Sequence, residues 1–165
     1  MNAAQYIKYL DLRKHPEGGY YKQTYRSPEW LPLNALPSAF TGDRPISTAI
    51  MYLLEQDDFS CFHRIKSDEC WHFYAGQTLY IHVIAEDGNY TPVRLGNRVE
   101  SGDVFQFVVH AGAWFAAEPA PGTTFALTGC TVAPGFDFSD LELANKSAML
   151  SQYPQHRLML ERLCR

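Results

Sequence analysis

The chain has 165 residues, a length that fits one folded domain rather than two. Its formal net charge is -4 and it contains no run of basic residues, so it lacks the electrostatic pattern of a nucleic-acid-binding protein. No segment approaches the roughly 18 consecutive apolar residues of a membrane span, and the N-terminal segment is too polar for a signal peptide. We therefore expect a soluble, cytoplasmic protein, one domain over residues 1–165, that binds neither nucleic acid nor membranes.

Four cysteines, Cys61, Cys70, Cys130 and Cys164, lie far apart in the sequence and form no C-x-x-C pair. We expect reduced thiols rather than a disulfide framework or a zinc site. A domain of this length can bury roughly 70% of the surface that its unfolded chain exposes, so a hydrophobic core is enough to hold the fold.

The first 45 residues predict one short helix, one strand and one long loop. Asn2 is placed to cap a helix that must end before Pro16. The segment 17–19, Glu-Gly-Gly, predicts a turn or bulge, because glycine tolerates positive φ. The alternating segment 20–26 predicts a strand, and the segment 28–45, which holds four prolines, predicts a long irregular loop.

Residues 46–132 are predicted to be β throughout. Aromatic residues make up 14% of the chain, and aromatic residues favour strands. Many short runs of strand-forming residues at this spacing indicate a sandwich or barrel. The predicted strands cover 47–54, 59–65, 69–74, 79–85, 90–95, 104–110, 114–117 and 123–132.

The β pattern ends at Pro134-Gly135, and two helices are predicted after it. Ser139 can cap the first of them, because Asp140 and Glu142 would then lie in the favourable first turn. The second helix is predicted over 155–163. The fold class we expect is all-β, with a short N-terminal helix and short C-terminal helices.

The segment 59–76 contains the residues most suited to chemistry. Two predicted strands joined by a polar turn would bring His63 and Glu69 close together across a hairpin. Because side chains two apart in a strand point to the same face, Trp71 and Phe73 should share a face with Glu69. His72 should point the other way.

These residues resemble the first motif of the cupin superfamily, G-x5-H-x-H-x3,4-E-x6-G. The motif's first histidine, its glutamate and its last glycine are matched at the right spacing by His63, Glu69 and Gly76. Ile65 occupies the position of the second histidine. The second cupin motif, G-x5-P-x-G-x2-H-x3-N, is degenerate here: Gly112 matches its second glycine, and Phe115 stands where the last metal-binding histidine should be.

The chain resembles one small cupin subgroup of bacterial and fungal proteins more closely. The resembling segments span nearly the whole chain and are His15-Pro-Glu-Gly-Gly-Tyr-Tyr21, Ser47-Thr-Ala-Ile50, Ser67-Asp-Glu-Cys-Trp-His72, Ala111-Gly-Ala-Trp-Phe115 and Val132-Ala-Pro-Gly-Phe-Asp137. The resemblance implies an RmlC-like jelly-roll β-barrel, a homodimer and similarity to the sugar-nucleotide epimerase branch of the cupins. It implies no particular reaction.

Metal binding is not predicted. A catalytic metal normally takes about three protein ligands, and the cupin positions supply only His63 and Glu69, since Ile65 and Phe115 cannot coordinate. His72, His82 and His110 lie nearby in the sequence, but nothing in their spacing requires them as ligands. No cofactor is therefore expected.

His63 and Glu69 are the candidate catalytic residues. His63 would act as a general base whose pKa is set by a carboxylate partner such as Glu69. The alternative is a core histidine that is hydrogen-bonded to that same carboxylate. Glu69 is costly to bury without a partner, which favours a role in a site, although it would be exposed if the turn extended to it.

Five further residues are candidates for contact with a ligand. Trp71, Phe73 and Trp114 offer flat faces for a sugar ring or a base, although such residues are more often part of a core. Tyr21 and Arg26 lie on the first strand, and Arg26 suits an anionic group. The alternative for that strand is an edge with solvated side chains.

Three functions remain open at this point. The first is metal-independent proton transfer on a carbohydrate or sugar-nucleotide-like ligand, as in an epimerase or isomerase. The second is a binding or sensing protein for a small polar ligand. The third is a metal-dependent cupin enzyme with unusual ligands. A carboxylate close to His63 would favour the first, and a pocket without a second acid or base on its opposite wall would favour the second.

Overall fold

The computed structural model describes residues 1–165 and contains two antiparallel sheets packed face to face. The first sheet has the order β1-β2-β5-β12-β7-β10, with β1 Arg13–Lys14, β2 Tyr20–Arg26, β5 Thr48–Glu55, β7 Asp68–Gly76, β10 Gln106–Val109 and β12 Phe125–Ala133. The second has the order β13-β6-β11-β8-β9, with β6 Ser60–Arg64, β8 Leu79–Ile84, β9 Tyr90–Leu95, β11 Trp114–Pro119 and β13 Glu142–Leu143. A separate ladder joins β3 Trp30–Leu31 to β4 Arg44–Pro45.

Strands that follow one another in the chain often lie in different sheets, as they do in a jelly roll. β5, β7 and β12 belong to the first sheet, while β6, β8 and β11 belong to the second. A single bridge between Leu95 and Val104 connects the sheets along one edge. The all-β jelly-roll prediction is confirmed, and each of the nine predicted strands is present with its ends within two residues.

The main core lies between the two sheets, because inward positions on both carry apolar side chains. In β7 the residues Glu69, Trp71 and Phe73 are all buried on one face, while His72 points outward to Thr131. The expected alternation in this strand is therefore correct. The core residues shared by both sheets include Tyr52, Leu54, Trp71, Leu79, Ile81, Leu95, Phe115 and Ala126.

Three α-helices flank the sheets: α1 Ala3–Tyr9, α2 Lys146–Gln152 and α3 Arg157–Leu163. Asn2 caps α1 as predicted, in a reciprocal capping box with Gln5. The helices α2 and α3 cover the outer face of the second sheet in a second core, in which Met149 and Leu160 pack with Phe62. None of the helices is long and apolar enough to cross a membrane.

The predicted helix after Ser139 does not exist. Residues 138–140 form one 3-10 turn, and β13 then pairs with β6. The reason is that the Asp140 side chain points inward and accepts two hydrogen bonds from buried Arg44, at 2.6 and 2.7 Å, rather than pointing outward from a first helical turn. The helix begins later, where the side chain of Asn145 caps α2.

Candidate functional site

A cavity of about 330 Å³ opens between the two sheets. A volume near 300 Å³ is at the small end of the range for ligand pockets. Polar residues of the loop before β2 and of the strands β2, β5, β6 and β7 line it, together with apolar side chains. The lining residues are His15, Glu17, Tyr21, Gln23, Arg26, Thr48, Ile50, His63, Ile65, Glu69, Cys130, Val132, Phe136 and Phe138.

The loop between β1 and β2 carries Glu17 into this cavity. Its backbone is held at both sides: the Cys61 amide donates to the Glu17 carbonyl at 2.9 Å, and the Tyr52 hydroxyl donates to the Gly18 carbonyl at 2.7 Å. Gly18 has φ +120°, and a β-carbon there would overlap the Phe59 carbonyl oxygen. Only glycine fits at this position, and the tight turn that results presents Glu17 to the floor of the cavity.

His63 and Glu17 form a close pair, with His63 Nε2 3.1 Å from Glu17 Oε2. The other ring nitrogen, Nδ1, lies 2.7 Å from the Cys61 carbonyl oxygen. Because a carbonyl only accepts, Nδ1 carries a hydrogen, and Nε2 is the nitrogen that faces the Glu17 carboxylate. Both side chains are buried, and the two facing atoms are close enough for a direct hydrogen bond.

His15 stands on the other side of Glu17. Its Nδ1 lies 3.6 Å from Glu17 Oε1 and accepts a weak hydrogen bond from the Glu17 amide at 3.4 Å. Burial lowers the pKa of His15, and its neighbour His63 lowers it further, while Glu17 acts in the opposite direction. His15 is therefore neutral at physiological pH, in agreement with its role as an acceptor.

Glu69 faces the pair from the opposite sheet, at the start of β7. Burial raises the pKa of Glu69 to about 8, and the nearby Glu17 carboxylate contributes in the same direction, while the Cys130 thiol opposes it. Glu69 is therefore a neutral carboxylic acid at pH 7. A carboxyl group kept neutral in this way can donate a proton or a hydrogen bond.

The structure corrects the expected partner of His63. β6 and β7 do not form a hairpin, because they belong to different sheets, and so His63 and Glu69 lie on facing walls. The carboxylate beside His63 belongs to Glu17, which the sequence placed in a turn with a purely geometric role. The sequence signal that could have indicated a site role for Glu17 is its position, because an ionisable side chain stands there between His15-Pro16 and two glycines.

The predicted ligand contacts divide into two groups. Tyr21 and Arg26 line the cavity. Trp71 and Phe73 lie deeper in the main core, and Trp114 packs under the C-terminal helices with Arg64 stacked on its ring. These three rings do not line the cavity, so we do not retain them as ligand contacts. Side-chain alternation correctly predicted that Trp71 and Phe73 point inward, but it could not predict how far from the cavity they lie.

The side chains around the cavity do not fit a metal ion. Ile65 and Phe115 offer no ligand atom, and the Phe115 ring packs on His63 with 4.0 Å between ring centroids. No group of three or more His, Cys, Asp or Glu side chains has an arrangement that could hold a metal. The one free imidazole nitrogen of His63 is directed at Glu17 instead.

The chain belongs to the cupin superfamily. The family model described as "Cupin superfamily (DUF985)" matches residues 4–144. A more distant solved structure is similar in its fold alone: an oxalate decarboxylase from Bacillus subtilis has a TM-score of 0.55 at 12% identity, over 93% of this chain and 37% of that one.

Three relatives are similar over most of their length. "Uncharacterized protein YML079W" of Saccharomyces cerevisiae is 32% identical over 145 residues, which cover 82% of this chain and 72% of the yeast protein. A hypothetical protein from Leishmania major has a TM-score of 0.91 at 32% identity, over 99% of both chains. Protein SO0799 from Shewanella oneidensis has a TM-score of 0.88 at 39% identity, over 100% of this chain and 98% of that one.

Proposed function

We propose that this cupin catalyses metal-independent proton transfer on a small carbohydrate-like molecule, as an isomerase or epimerase. The observation that carries the proposal is the close, buried pair of His63 and Glu17 at 3.1 Å, with the Glu69 carboxyl on the facing wall. General acid–base catalysis needs two such groups on either side of the reacting atoms.

The reaction balances with these groups alone. The deprotonated pair takes a proton from a carbon next to a carbonyl group, while the neutral Glu69 carboxyl gives its proton to the carbonyl oxygen. The product of this step is a neutral enol. The pair then gives its proton to the former carbonyl carbon, and the Glu69 carboxylate takes a proton from the hydroxyl of the first carbon, whose oxygen becomes the new carbonyl, so that no oxidant or reductant is needed. Inversion at one carbon would instead take the new proton from water on the opposite face, while the pair releases its own proton to water.

Incubation in deuterated water tests this proposal directly. A panel of aldoses, ketoses, sugar acids, sugar phosphates and sugar nucleotides is incubated with the protein, and deuterium incorporation next to the carbonyl is followed by NMR. We expect exchange into at least one class. Glu17→Gln, His63→Ala and Glu69→Gln should each reduce the rate by about 100-fold or more, which is the usual contribution of one acid–base group.

A matched control is His110→Ala, because the His110 side chain is exposed and lies outside the cavity. It should exchange at the wild-type rate. Binding of panel members without any exchange would replace the proposal with a binding or sensing function. Stoichiometric Fe, Mn, Ni or Zn in the purified protein, lost in His63→Ala, would replace it with a metal-dependent enzyme.

A further inference from the structure

Arg26 is the only lysine or arginine among the residues that line the cavity. Its guanidinium stacks on the Trp30 ring at 5.1 Å from the centroid, and no carboxylate lies within 4 Å of it. Asp137 is close enough for the charge of Arg26 to help lower the pKa of that carboxyl, but the two do not form an ion pair. The positive charge is therefore free to meet a ligand.

A β-bulge in β2 directs Arg26 into the cavity. The register between β2 and β5 shifts between Gln23 and Tyr25, so one extra residue is inserted at this point. Tyr21 and Gln23 line the cavity, and strict alternation would place Tyr25, not Arg26, on the same face. Because of the bulge Arg26 lines the cavity and Tyr25 is half exposed.

The cavity has buried polar side chains in its interior and exposed polar side chains toward solvent. Buried His63, Glu17 and Glu69 form the inner end, and the exposed side chains of Arg26 and Gln23 form the outer end. The apolar side chains that also line the cavity are Ile50, Ile65, Val132, Phe136 and Phe138. A ligand that matches this pattern has one charged end and one neutral polar end.

The volume limits the size of such a ligand. A cavity of about 330 Å³ holds about eleven water molecules at ~30 Å³ each, and so a ligand of about a dozen non-hydrogen atoms. A six-carbon sugar acid or a sugar phosphate has this size. A complete sugar nucleotide is much larger, so its nucleotide part would have to lie outside the cavity, beyond exposed Arg26.

We propose that the substrate is a single small sugar-like molecule with one oxyanion group, carboxylate or phosphate, that binds Arg26 while its carbonyl end reaches His63 and Glu17. This inference rests on the proposed function and adds the class of substrate. Charge balance agrees with it, because the raised pKa of Glu69 keeps that carboxyl from adding a negative charge that would repel an anion.

Calorimetric titration with matched probes tests the inference. The probes are D-gluconate against D-gluconamide, D-glucuronate against glucose, glucose 6-phosphate against glucose, and UDP-glucose, each at millimolar concentration. We expect the acids or the phosphate to bind at least about 10-fold more tightly than their neutral counterparts, since a charge-assisted hydrogen bond contributes about this much. Carboxylate and phosphate are distinguished by which anionic probe binds more tightly.

Arg26→Gln should remove this preference and weaken binding of the anionic probes by about 10- to 100-fold, with little change for the neutral ones. Arg157→Gln is the matched control, because Arg157 is exposed on α3 and lies outside the cavity. Equal binding of charged and neutral probes, no binding of any anionic probe, or preferred binding of UDP-glucose would each overturn the inference.

The two proposals fail in different ways. Deuterium exchange that depends on His63 but is unchanged in Arg26→Gln would support the proton-transfer function and contradict the anion site. Binding of glucuronate or glucose 6-phosphate that depends on Arg26, with no exchange into either, would confirm the class of ligand and overturn the chemistry.

Discussion

Glu69 is an acid whose protonation state is set by its surroundings. The side chain is buried at the start of β7 and faces a second carboxylate, and both conditions disfavour its charged form. The folded protein therefore holds a proton that the unfolded chain releases near the ordinary pKa of 4.5. The same feature that makes Glu69 a useful acid makes the folded state sensitive to pH.

Stability should fall as the pH rises from about 4.5 to about 8, the interval between the ordinary and the raised pKa of Glu69. The sign follows because the folded state binds the extra proton, and the slope from one such proton is at most about 1.4 kcal/mol per pH unit. Glu69→Gln should remove this part of the slope. The free energy of unfolding is measured in urea across the interval, with exposed Glu100→Gln as control; an unchanged slope in Glu69→Gln would contradict the raised pKa.

The ion pair of Arg44 and Asp140 fixes the segment that carries Phe136 and Phe138 along the cavity. Both charged side chains are buried, and Lys66 lies 3.3 Å from the same carboxylate. Asp140→Asn should destabilise the fold by about 3–5 kcal/mol, because it leaves a buried guanidinium without its counter-ion.

Glu142→Gln is the control for that prediction. Its pair with Arg64 has a similar distance of 2.8 Å but lies on the surface, so its removal should cost less than about 1 kcal/mol. Equilibrium unfolding in urea measures both variants. Equal losses would show that the Arg44 pair is not effectively buried.

At the scale of elements, the loop 15–19 has more influence on the site than its size suggests. It closes on itself through two backbone hydrogen bonds between His15 and the two glycines, and Asp58 accepts the Gly19 amide at 3.0 Å. Together with the bonds to Cys61 and Tyr52, these contacts hold Glu17 at a fixed distance from His63. The loop is thus a rigid support for the acid–base pair.

Gly18→Ala should disrupt this support. A β-carbon at Gly18 would overlap the Phe59 carbonyl, so the loop must move and Glu17 must leave His63. Gly112→Ala is a matched control, because Gly112 also has a positive φ, +80°, but no atom within 4 Å of an added β-carbon. We expect a loss of about 1–2 kcal/mol for the control from the backbone conformation alone, and a larger loss for Gly18→Ala.

Deuterium exchange separates a local from a general effect in these two variants. Exchange should be retained in Gly112→Ala and lost in Gly18→Ala, even at temperatures where both are folded by circular dichroism. Normal exchange in folded Gly18→Ala would mean that the position of Glu17 is not needed for the reaction.

At the scale of the whole molecule, we propose that the chain forms a homodimer, as the resemblance to small cupins implies. Five large aromatic side chains are about half exposed, and four of them lie outside the cavity: Tyr25 50%, Trp30 51%, Tyr74 52% and Phe105 53%. Tyrosine, tryptophan and phenylalanine are enriched at protein interfaces, so these side chains are candidates for the dimer contact. Sedimentation equilibrium should give twice the mass of the chain, and a monomer at all concentrations measured would contradict the proposal.

Local rules account for most of the fold. Alternation in β7 correctly predicted that Glu69, Trp71 and Phe73 share a face, and the cap at Asn2 correctly predicted α1. The helix expected after Ser139 failed because a buried partner, Arg44, outweighed the local preference of Asp140 for a first helical turn. Such a partner lies too far away in the chain for a local rule to find.

The sequence by itself determined which residues can do chemistry: His63 and Glu69 from the cupin spacing, Arg26 from its charge, and a glycine turn after Glu17. Only the tertiary structure decided which of these residues contact one another. Strand pairing joins residues that are far apart in the chain, and side-chain alternation within one strand does not predict it. Placing β6 and β7 in different sheets separates His63 from Glu69 across the cavity. The backbone bond from Cys61 then brings in Glu17 as the true partner of His63.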